Sequence, residues 1–244
     1  MGALGNYFEE EGVPTVCISL IRLHTEITTP PRALWVPFEL GRPMGPPNNA
    51  QFQSKVLLSA LKLLEVSSGP VIEDFNEDSP VAGDDIATIA CPVSFPADTP
   101  ALSETDKILT ALKQEVAGLR PWYEIAVQKR KRTTVGVSGL DLDRIIDFIG
   151  DFLAGKIPDN PRTDIELGYT LNLAIDDLKA YYSEAVTAQP GQRSPSSEAL
   201  NTWFWKETIA GNTLYALKDS LLNSGDGFLK LVGLVFLVPV EFNK

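Results

Sequence analysis

A segment rich in proline and glycine, residues 30–47, most constrains what this chain can fold into. Within it, the apolar run Ala33–Val36 leads into a loop. Proline restricts the backbone of this loop, and glycine lets a ligand approach the backbone closely. A strand-like run, Pro14–Ile21, precedes the segment, and a helix-like run, Gln51–Glu65, follows it. This order predicts an open α/β sheet, in which ligands bind where loops leave the carboxyl ends of strands. The loop is therefore either a preformed binding pocket or a rigid structural corner.

The positions of glycine and proline and the periodicity of apolar residues predict the elements on either side of this segment. Residues 2–11 are expected to form an amphipathic helix that ends at Gly12, residues 66–85 an acidic connector, and Ile86–Phe95 a third strand. Apolar stripes and capping signals then predict helices after Ser103, from Pro121, over Asp141–Leu153, after Thr163, and from Ser194-Pro195 through Leu221. The apolar end of the chain predicts a final strand, Leu234–Val240.

The predicted fold class is α/β, with a small open, largely parallel sheet flanked by helices and a mainly helical C-terminal half. Residues 1–100 are expected to form the α/β unit that carries the substrate loop. Residues 101–244 are expected to form the mainly helical region with the final strand. If that strand returns to the first sheet, the chain is one domain with a helical insertion; otherwise it forms two domains.

Composition excludes several classes of protein. The formal net charge of −11 argues against nucleic acid and anionic membrane surfaces as partners, because both need a basic surface. The two cysteines, Cys17 and Cys91, lie in apolar runs and indicate buried thiols in a reducing compartment. The first residues lack the basic n-region and long apolar core typical of a signal peptide, and the apolar run Phe228–Phe242 is too short to span a bilayer. A cytoplasmic protein is predicted.

The best candidates for chemistry lie around the loop. His24, the only histidine, follows the second strand-like run, and is either a general acid or base or a partly exposed structural residue. Glu26 lies two residues on, on the same face if the segment is extended. Arg32 and Arg42 offer bidentate donors to a carboxylate or another anionic group.

Other motifs are negative or ambiguous. One histidine and two separated cysteines argue against a zinc site, no G-x-S-x-G elbow is present, and the turn Gly136–Gly139 matches neither nucleotide-binding fingerprint. The basic run Lys129–Arg132 is either a solvated helix face or a contact for an anionic partner. Trp203, Phe204 and Trp205 are consecutive, so one of them is expected to face a subunit interface or a pocket.

The N-terminal third contains four informative segments: Gly12-Val-Pro-Thr-Val16, Pro31-Arg32 leading into Val36-Pro37, Leu40-Gly41 with Pro43, and the helix with Leu57, Leu58, Ala60, Leu61 and Leu64. Through these residues the chain resembles the selenoprotein B component of the glycine/sarcosine/betaine/D-proline reductase family, over roughly residues 1–65. In that family a redox-active selenocysteine or cysteine, often in a U-x-x-C arrangement, precedes the first helix of this unit. This sequence contains neither selenocysteine nor C-x-x-C.

The resemblance implies a cytoplasmic subunit of a multi-component reductase that cleaves a carbon–heteroatom bond in a small anionic molecule. On this hypothesis the loop binds the substrate, His24 or Glu26 manages protons, and the redox thiol is Cys17 or comes from another chain. The expected substrate-binding residues are Arg32, Glu39, Gly41 and Arg42.

A second hypothesis is a non-catalytic binding or assembly subunit that keeps the fold without the redox centre. A hydrolase that needs no cofactor is the third. Under the first two hypotheses the expected partners are a small anionic substrate and either further copies of the chain or a partner reductase subunit.

Overall fold

A computed structural model of the chain describes residues 2–80, 103–189 and 197–243. The chain divides into two compact units, Met1–Val81 and Ala82–Lys244. The predicted strand Ile86–Phe95 and the predicted domain boundary near residue 100 lie outside the described residues.

The first unit is built around a three-stranded parallel sheet with the order β1-β2-β3. Ala33 pairs with Cys17 on one side and with Ile72 on the other. This arrangement, with the helical second unit described below, confirms the predicted fold class. The elements are α1 (Gly2–Glu10), β1 (Cys17–Ser19), α2 (Arg22–Thr28), β2 (Arg32–Trp35), α3 (Ala50–Lys62) with a 3-10 turn (Leu63–Glu65), and β3 (Val71–Asp74).

Local signals explain several of these elements. Gly12 has φ 81° just after α1, a left-handed conformation that glycine adopts without a steric penalty. Asn49 caps α3, because its side chain accepts a hydrogen bond from the backbone N–H of Phe52. The core between α3 and the sheet consists of Leu34, Val36, Phe38, Phe52, Val56, Ala60, Leu63 and Phe75.

Two features of this unit differ from what the sequence predicts. Residues 22–28 connect the two predicted strands and form helix α2, since the N–H groups of Thr25 and Thr29 donate to the carbonyls four residues earlier. The condition under which His24 and Glu26 would share a face, an extended segment, is therefore not met. The predicted acidic connector contains β3, which hydrogen-bonds along β2. The N–H of Val71 donates to Pro31 O at 3.1 Å, and the N–H of Phe75 donates to Trp35 O at 2.8 Å. Local composition does not show this strand, because its hydrogen-bond partners come from a distant part of the chain.

The second unit is helical throughout its described residues, apart from loops and turns. Its core includes both Tyr181 and Tyr182, which have no solvent exposure. The elements are α4 (Glu104–Arg130), α5 (Leu142–Leu153), α6 (Leu167–Val186), α7 (Ser197–Glu207), α8 (Ile209–Leu222), α9 (Gly227–Leu231), a π-helical turn (Val232–Phe236) and a 3-10 turn (Val240–Phe242).

The helix starts predicted for this unit are confirmed only in part. Ser103 accepts from the N–H of Asp106 at 3.1 Å, as its capping box predicts. Thr163 does not cap α6, which begins after Glu166, and Pro121 lies inside α4 without starting a new helix. The long helix predicted through Leu221 is interrupted at Thr208, whose hydroxyl caps α8 by accepting from Gly211 N at 2.9 Å.

The predicted final strand, Leu234–Val240, is also wrong. Residues Val232–Phe236 continue α9 as a π-helical turn. Gly233 packs closely there, since a Cβ at this position would lie 3.2 Å from the Cβ of Leu221. A short apolar run does not distinguish a strand from a buried helical segment, so contacts such as this one decide the conformation.

All three consecutive aromatics are buried, which corrects the expectation that one faces an interface or pocket. Trp203, Phe204 and Trp205 are 3%, 6% and 3% exposed. Tyr182 packs on Trp203 and Phe204, while Trp205 packs on the other side against Tyr215, at a ring-centre distance of 5.5 Å. Several elements therefore surround α7, and all three rings are buried inside the unit without a subunit interface.

Candidate functional site

The carboxyl edge of the sheet brings three side chains into one row. Register pairs Trp35 with Ser19 on β1 and with Asp74 on β3. Residues paired in this way in a parallel sheet point to the same face. Because open α/β sheets bind ligands at this edge, the row is the first candidate site of the unit.

Arg22, at the start of α2, covers this row. Its Nη1 contacts the Asp74 carboxylate, its Nε lies 3.0 Å from Glu26 Oε1, and its guanidinium carbon lies 5.7 Å from the centre of the Trp35 ring. Within the described residues the indole Nε1 of Trp35 is buried and has no hydrogen-bond acceptor. One guanidinium faces two carboxylates here, so the cluster offers an unpaired donor but no net positive charge.

The predicted binding loop is held by its own turns and by aromatic packing. Gly41 and Gly45 have φ 86° and 80°, and a Cβ at Gly45 would lie 2.5 Å from the Phe52 ring. Glycine at both positions is therefore explained by the fold. Arg42 is exposed at the tip and lies 3.5 Å from Glu39, a surface contact that contributes at most about 1 kcal/mol.

Arg32 is placed inside the unit and not in the loop. It contacts the carboxylate of Glu9, and its Nε and Nη2 donate to Val66 O at 2.9 and 2.8 Å. Glu9 also accepts from Thr15 N at 2.8 Å, and this hydrogen bond and those from Arg32 and Thr15 Oγ1 lower the pKa of Glu9. Arg32 thus joins β2 to α1 and to the residue after the 3-10 turn, and its donors serve the fold.

We expect Arg32→Ala to destabilise the first unit by about 2–4 kcal/mol, because Glu9 loses its cation and Val66 O loses two donors. Arg32→Lys should recover only part of this, since lysine lacks the planar fork. Hydrogen exchange of peptides from β2 and α1, read by mass spectrometry, measures the effect. Arg42→Ala is the matched control, and equal protection in the two alanine variants would contradict the structural role.

The three predicted catalytic residues lie on two elements, α2 and β1. His24 and Glu26 are both exposed on α2. Two residues apart on a helix, their side chains point about 160° apart, and not to one face as an extended segment would place them. Cys17 is half-buried on β1, and burial raises the pKa of its thiol. Among the described residues, no hydrogen bond or ion pair joins any two of these three side chains.

We expect Cys17 to react slowly with iodoacetamide near neutral pH, because a raised pKa leaves little thiolate. A Cys91→Ser background lets intact mass report one thiol, and the same chain in urea supplies the unhindered rate. We expect at least a tenfold slower reaction in the folded protein. A native rate as fast as the rate in urea would contradict this and support a reactive thiol.

The glycine-rich turn, and Arg130 of the basic run, make hydrogen bonds within the second unit. The N–H groups of Gly136, Val137 and Ser138 donate to the buried carboxylate of Asp177. This is a backbone anion site, and a side chain of α6 fills it. The run Lys129–Arg132 ends α4, where cations are favourable, and Arg130 Nη2 donates to Thr187 Oγ1 at 2.6 Å.

The face of α3 opposite the core is the second candidate site. Leu57, Leu58 and Leu61 of α3, with Leu64 of the following 3-10 turn, are between 37% and 58% exposed there. The opposite side of the same helix buries Phe52, Val56 and Ala60. A helix that is apolar on two sides is typical of one covered on both, and a clustered apolar surface typically marks an interaction site.

Comparison with protein-family models, curated proteins and solved structures gives no match to this chain. In the parts of the chain that the structure describes, no group of three or more His, Cys, Asp and Glu side chains is placed to hold a metal ion. No helix within those parts is long and apolar enough to cross a membrane.

Local sequence does not indicate either candidate site. Asp74 lies in the predicted acidic connector and Arg22 directly follows a predicted strand, so neither is expected in a row at the carboxyl edge. The leucines at 57, 58, 61 and 64 are expected on one amphipathic helix. The available signal is the width of its apolar stripe, since Leu57 and Leu61 lie about 100° and 140° around the helix from the buried Val56.

Proposed function

We propose that this chain is a non-catalytic binding or assembly subunit that keeps a reductase-like α/β unit without a redox centre of its own. The outer face of α3 carries the proposal. Exposed leucines on a short helix that already has a buried face contribute nothing to the fold of this unit, but they provide a surface for another protein. The resemblance of residues 1–65 to a subunit of a multi-component reductase supports the same assignment.

The geometry of the predicted catalytic residues favours this proposal over a reductase. His24 and Glu26 are exposed and point apart, and burial disfavours the thiolate of Cys17. Of the two arginines expected to bind a small anionic molecule, only Arg42 is exposed. A ligand-binding role therefore depends on Arg42 and on the unpaired indole N–H of Trp35.

The test is recovery of the chain with its partners from native cells, followed by quantitative mass spectrometry. We expect stoichiometric association for the wild type, loss of association in Leu61→Glu, and retention in Ile27→Glu, which places the same charge at an exposed apolar site on α2. Unchanged association in Leu61→Glu would contradict the proposal.

Activity of the isolated chain separates this proposal from the reductase. A non-catalytic subunit oxidises no dithiol reductant when supplied with a small anionic substrate such as an amino acid. Turnover by the purified chain that disappears in Cys17→Ala would support the reductase instead.

A further inference from the structure

Residues 239–243 lie on the second unit as a short strap. The chain just before them is buried, since Leu237 and Val238 are 1% and 4% exposed, and Lys179 Nζ donates to Leu237 O at 3.0 Å. Exposure then rises abruptly, and Val240 is 88% exposed. The chain is therefore anchored in the core up to Val238 and is held more loosely beyond it.

Side chains of α7 and α8 hold the last two residues of the strap. The ring of Phe242 stacks on Trp205, with ring centres 6.2 Å apart and an interplanar angle of 26°. The Tyr215 hydroxyl donates to Phe242 O at 2.9 Å, and Lys218 Nζ donates to the side-chain oxygen of Asn243. Three side chains thus receive one aromatic ring, one backbone carbonyl and one side-chain oxygen, which is the set of contacts that a peptide-binding site makes.

We propose that the strap is an exchangeable cover, and that Trp205, Tyr215 and Lys218 bind a peptide segment of a partner protein in its place. That segment presents an aromatic side chain followed by an acidic or amide residue. The strap is the intramolecular ligand, and it keeps the site closed until the partner segment displaces it. The site lies in the second unit, so the inference goes beyond the proposed assembly function and does not depend on the outer face of α3.

Other contacts fix Trp205 in its position when the strap leaves. Its ring packs edge-on against Phe204 and Tyr215, with ring centres 5.0 and 5.5 Å away, and Lys179 Nζ lies 5.7 Å from its centre. Segments with few buried contacts open locally at a small fraction of the free energy of global unfolding. Release of residues 239–243 therefore exposes a preformed site and does not require the helices to unfold.

The contacts define what the partner segment carries. Stacking on an indole ring is open to any aromatic side chain, and a tyrosine hydroxyl donates equally to any backbone carbonyl. An ammonium forms a stronger hydrogen bond with a carboxylate than with an amide oxygen. A segment with aspartate in the place of Asn243 is thus expected to bind more tightly than the sequence of the strap itself.

Attachment to the chain sets how strongly the strap competes. A ligand tethered through a short segment competes at an effective concentration on the order of 1 mM. A free peptide that makes one ring contact and two hydrogen bonds is expected to bind with a dissociation constant on the order of 100 μM. The strap should therefore weaken binding of the free peptide by about tenfold.

Fluorescence anisotropy of a fluorescein-labelled peptide with the sequence of residues 238–243 tests the proposal on the whole chain. Phe242→Ala removes the ring of the strap, and we expect this variant to bind the peptide about tenfold more tightly than the wild type. Val240→Ala is the matched control, because this side chain is exposed, and it should bind as the wild type does. The same peptide with alanine in place of its phenylalanine should not bind. Equal affinity of the wild type and Phe242→Ala, or no binding by either, would overturn the inference.

Further variants test the receptor side chains. A chain that ends at Val238 is a second open form, and it replaces Phe242→Ala if circular dichroism shows that this variant has lost its helices. In the open form Tyr215→Phe should weaken peptide binding by about three- to tenfold, because the carbonyl loses its donor. Lys218→Ala should remove the preference for a peptide with aspartate over one with asparagine. If neither variant changed peptide binding, the peptide would bind elsewhere and the inference would be overturned.

Discussion

Replacing Asp177 with alanine should lower the free energy of unfolding of the helical unit by about 3–5 kcal/mol. The side chain is fully buried and accepts from Gly136 N at 2.7 Å, Val137 N at 3.0 Å and Ser138 N at 2.9 Å, and from the Ser138 hydroxyl. Alanine leaves these donors without their acceptor, and Ser138 is fully buried, so its N–H has the least access to a replacing water. The loop between α4 and α5 then loses one of its attachments to α6 and keeps the hydrogen bonds from Thr134 to Glu184.

Urea unfolding followed by circular dichroism measures this loss, and hydrogen exchange at residues 136–138 locates it. Asp177→Asn should lower the free energy of unfolding by an intermediate amount, because one carboxylate oxygen is replaced by an amide nitrogen that faces other donors. Asp176→Ala removes a carboxylate from the adjacent, exposed position of the same helix and should change stability by about 0.5 kcal/mol or less. Similar losses for Asp176→Ala and Asp177→Ala would contradict the role of the turn.

Replacing Glu115 with alanine should lower the free energy of unfolding of the helical unit by about 2–4 kcal/mol. The carboxylate of Glu115 is buried and accepts from Ile209 N and Ala210 N, both at 3.0 Å, and from the Tyr182 hydroxyl. It therefore satisfies the first N–H groups of α8 and joins α4 to that helix. Glu124→Ala, at an exposed position of α4, is the matched control for denaturant unfolding. Equal midpoints for the two variants would count against this bonding role.

The stability of the wild type relative to Glu115→Gln should depend on pH. Burial raises the pKa of Glu115 above its ordinary value of 4.5, so the folded protein keeps this proton where the unfolded chain has lost it. The stabilisation is complete below the unfolded pKa and is lost as pH rises through the raised folded pKa. Lowering the pH from neutrality to about 4 should therefore favour the wild type over Glu115→Gln. A difference independent of pH would contradict the raised pKa.

The sequence supports those parts of the fold that depend on neighbours a few residues away. The end of α1 at Gly12, the cap of α4 at Ser103 and the apolar stripe of α5 are examples. Each rests on a hydrogen bond, a backbone angle or a periodicity within one or two helical turns. Together they were enough to predict the α/β fold class and the helical C-terminal half.

The candidate site was predicted less well, because its residues depend on distant partners. The sequence drew attention to Arg32 as a charge beside a loop. The structure pairs it with Glu9 and Val66, which lie 23 and 34 residues away along the chain. Trp35, Asp74 and Arg22 meet only because β3 pairs with β2 and α2 folds over the edge of the sheet.

By itself the sequence determined where most helices run and that a small parallel sheet begins the chain, since apolar periodicity and capping are local properties. Tertiary structure alone decided which charges serve the fold and which surfaces stay open. It buried Trp203, Phe204 and Trp205 together by surrounding α7, and it left Leu57, Leu58 and Leu61 of α3 and Leu64 of the next turn exposed. Burial is a property of what packs on a side chain from elsewhere, so large apolar side chains are buried at one place in the chain and exposed at another.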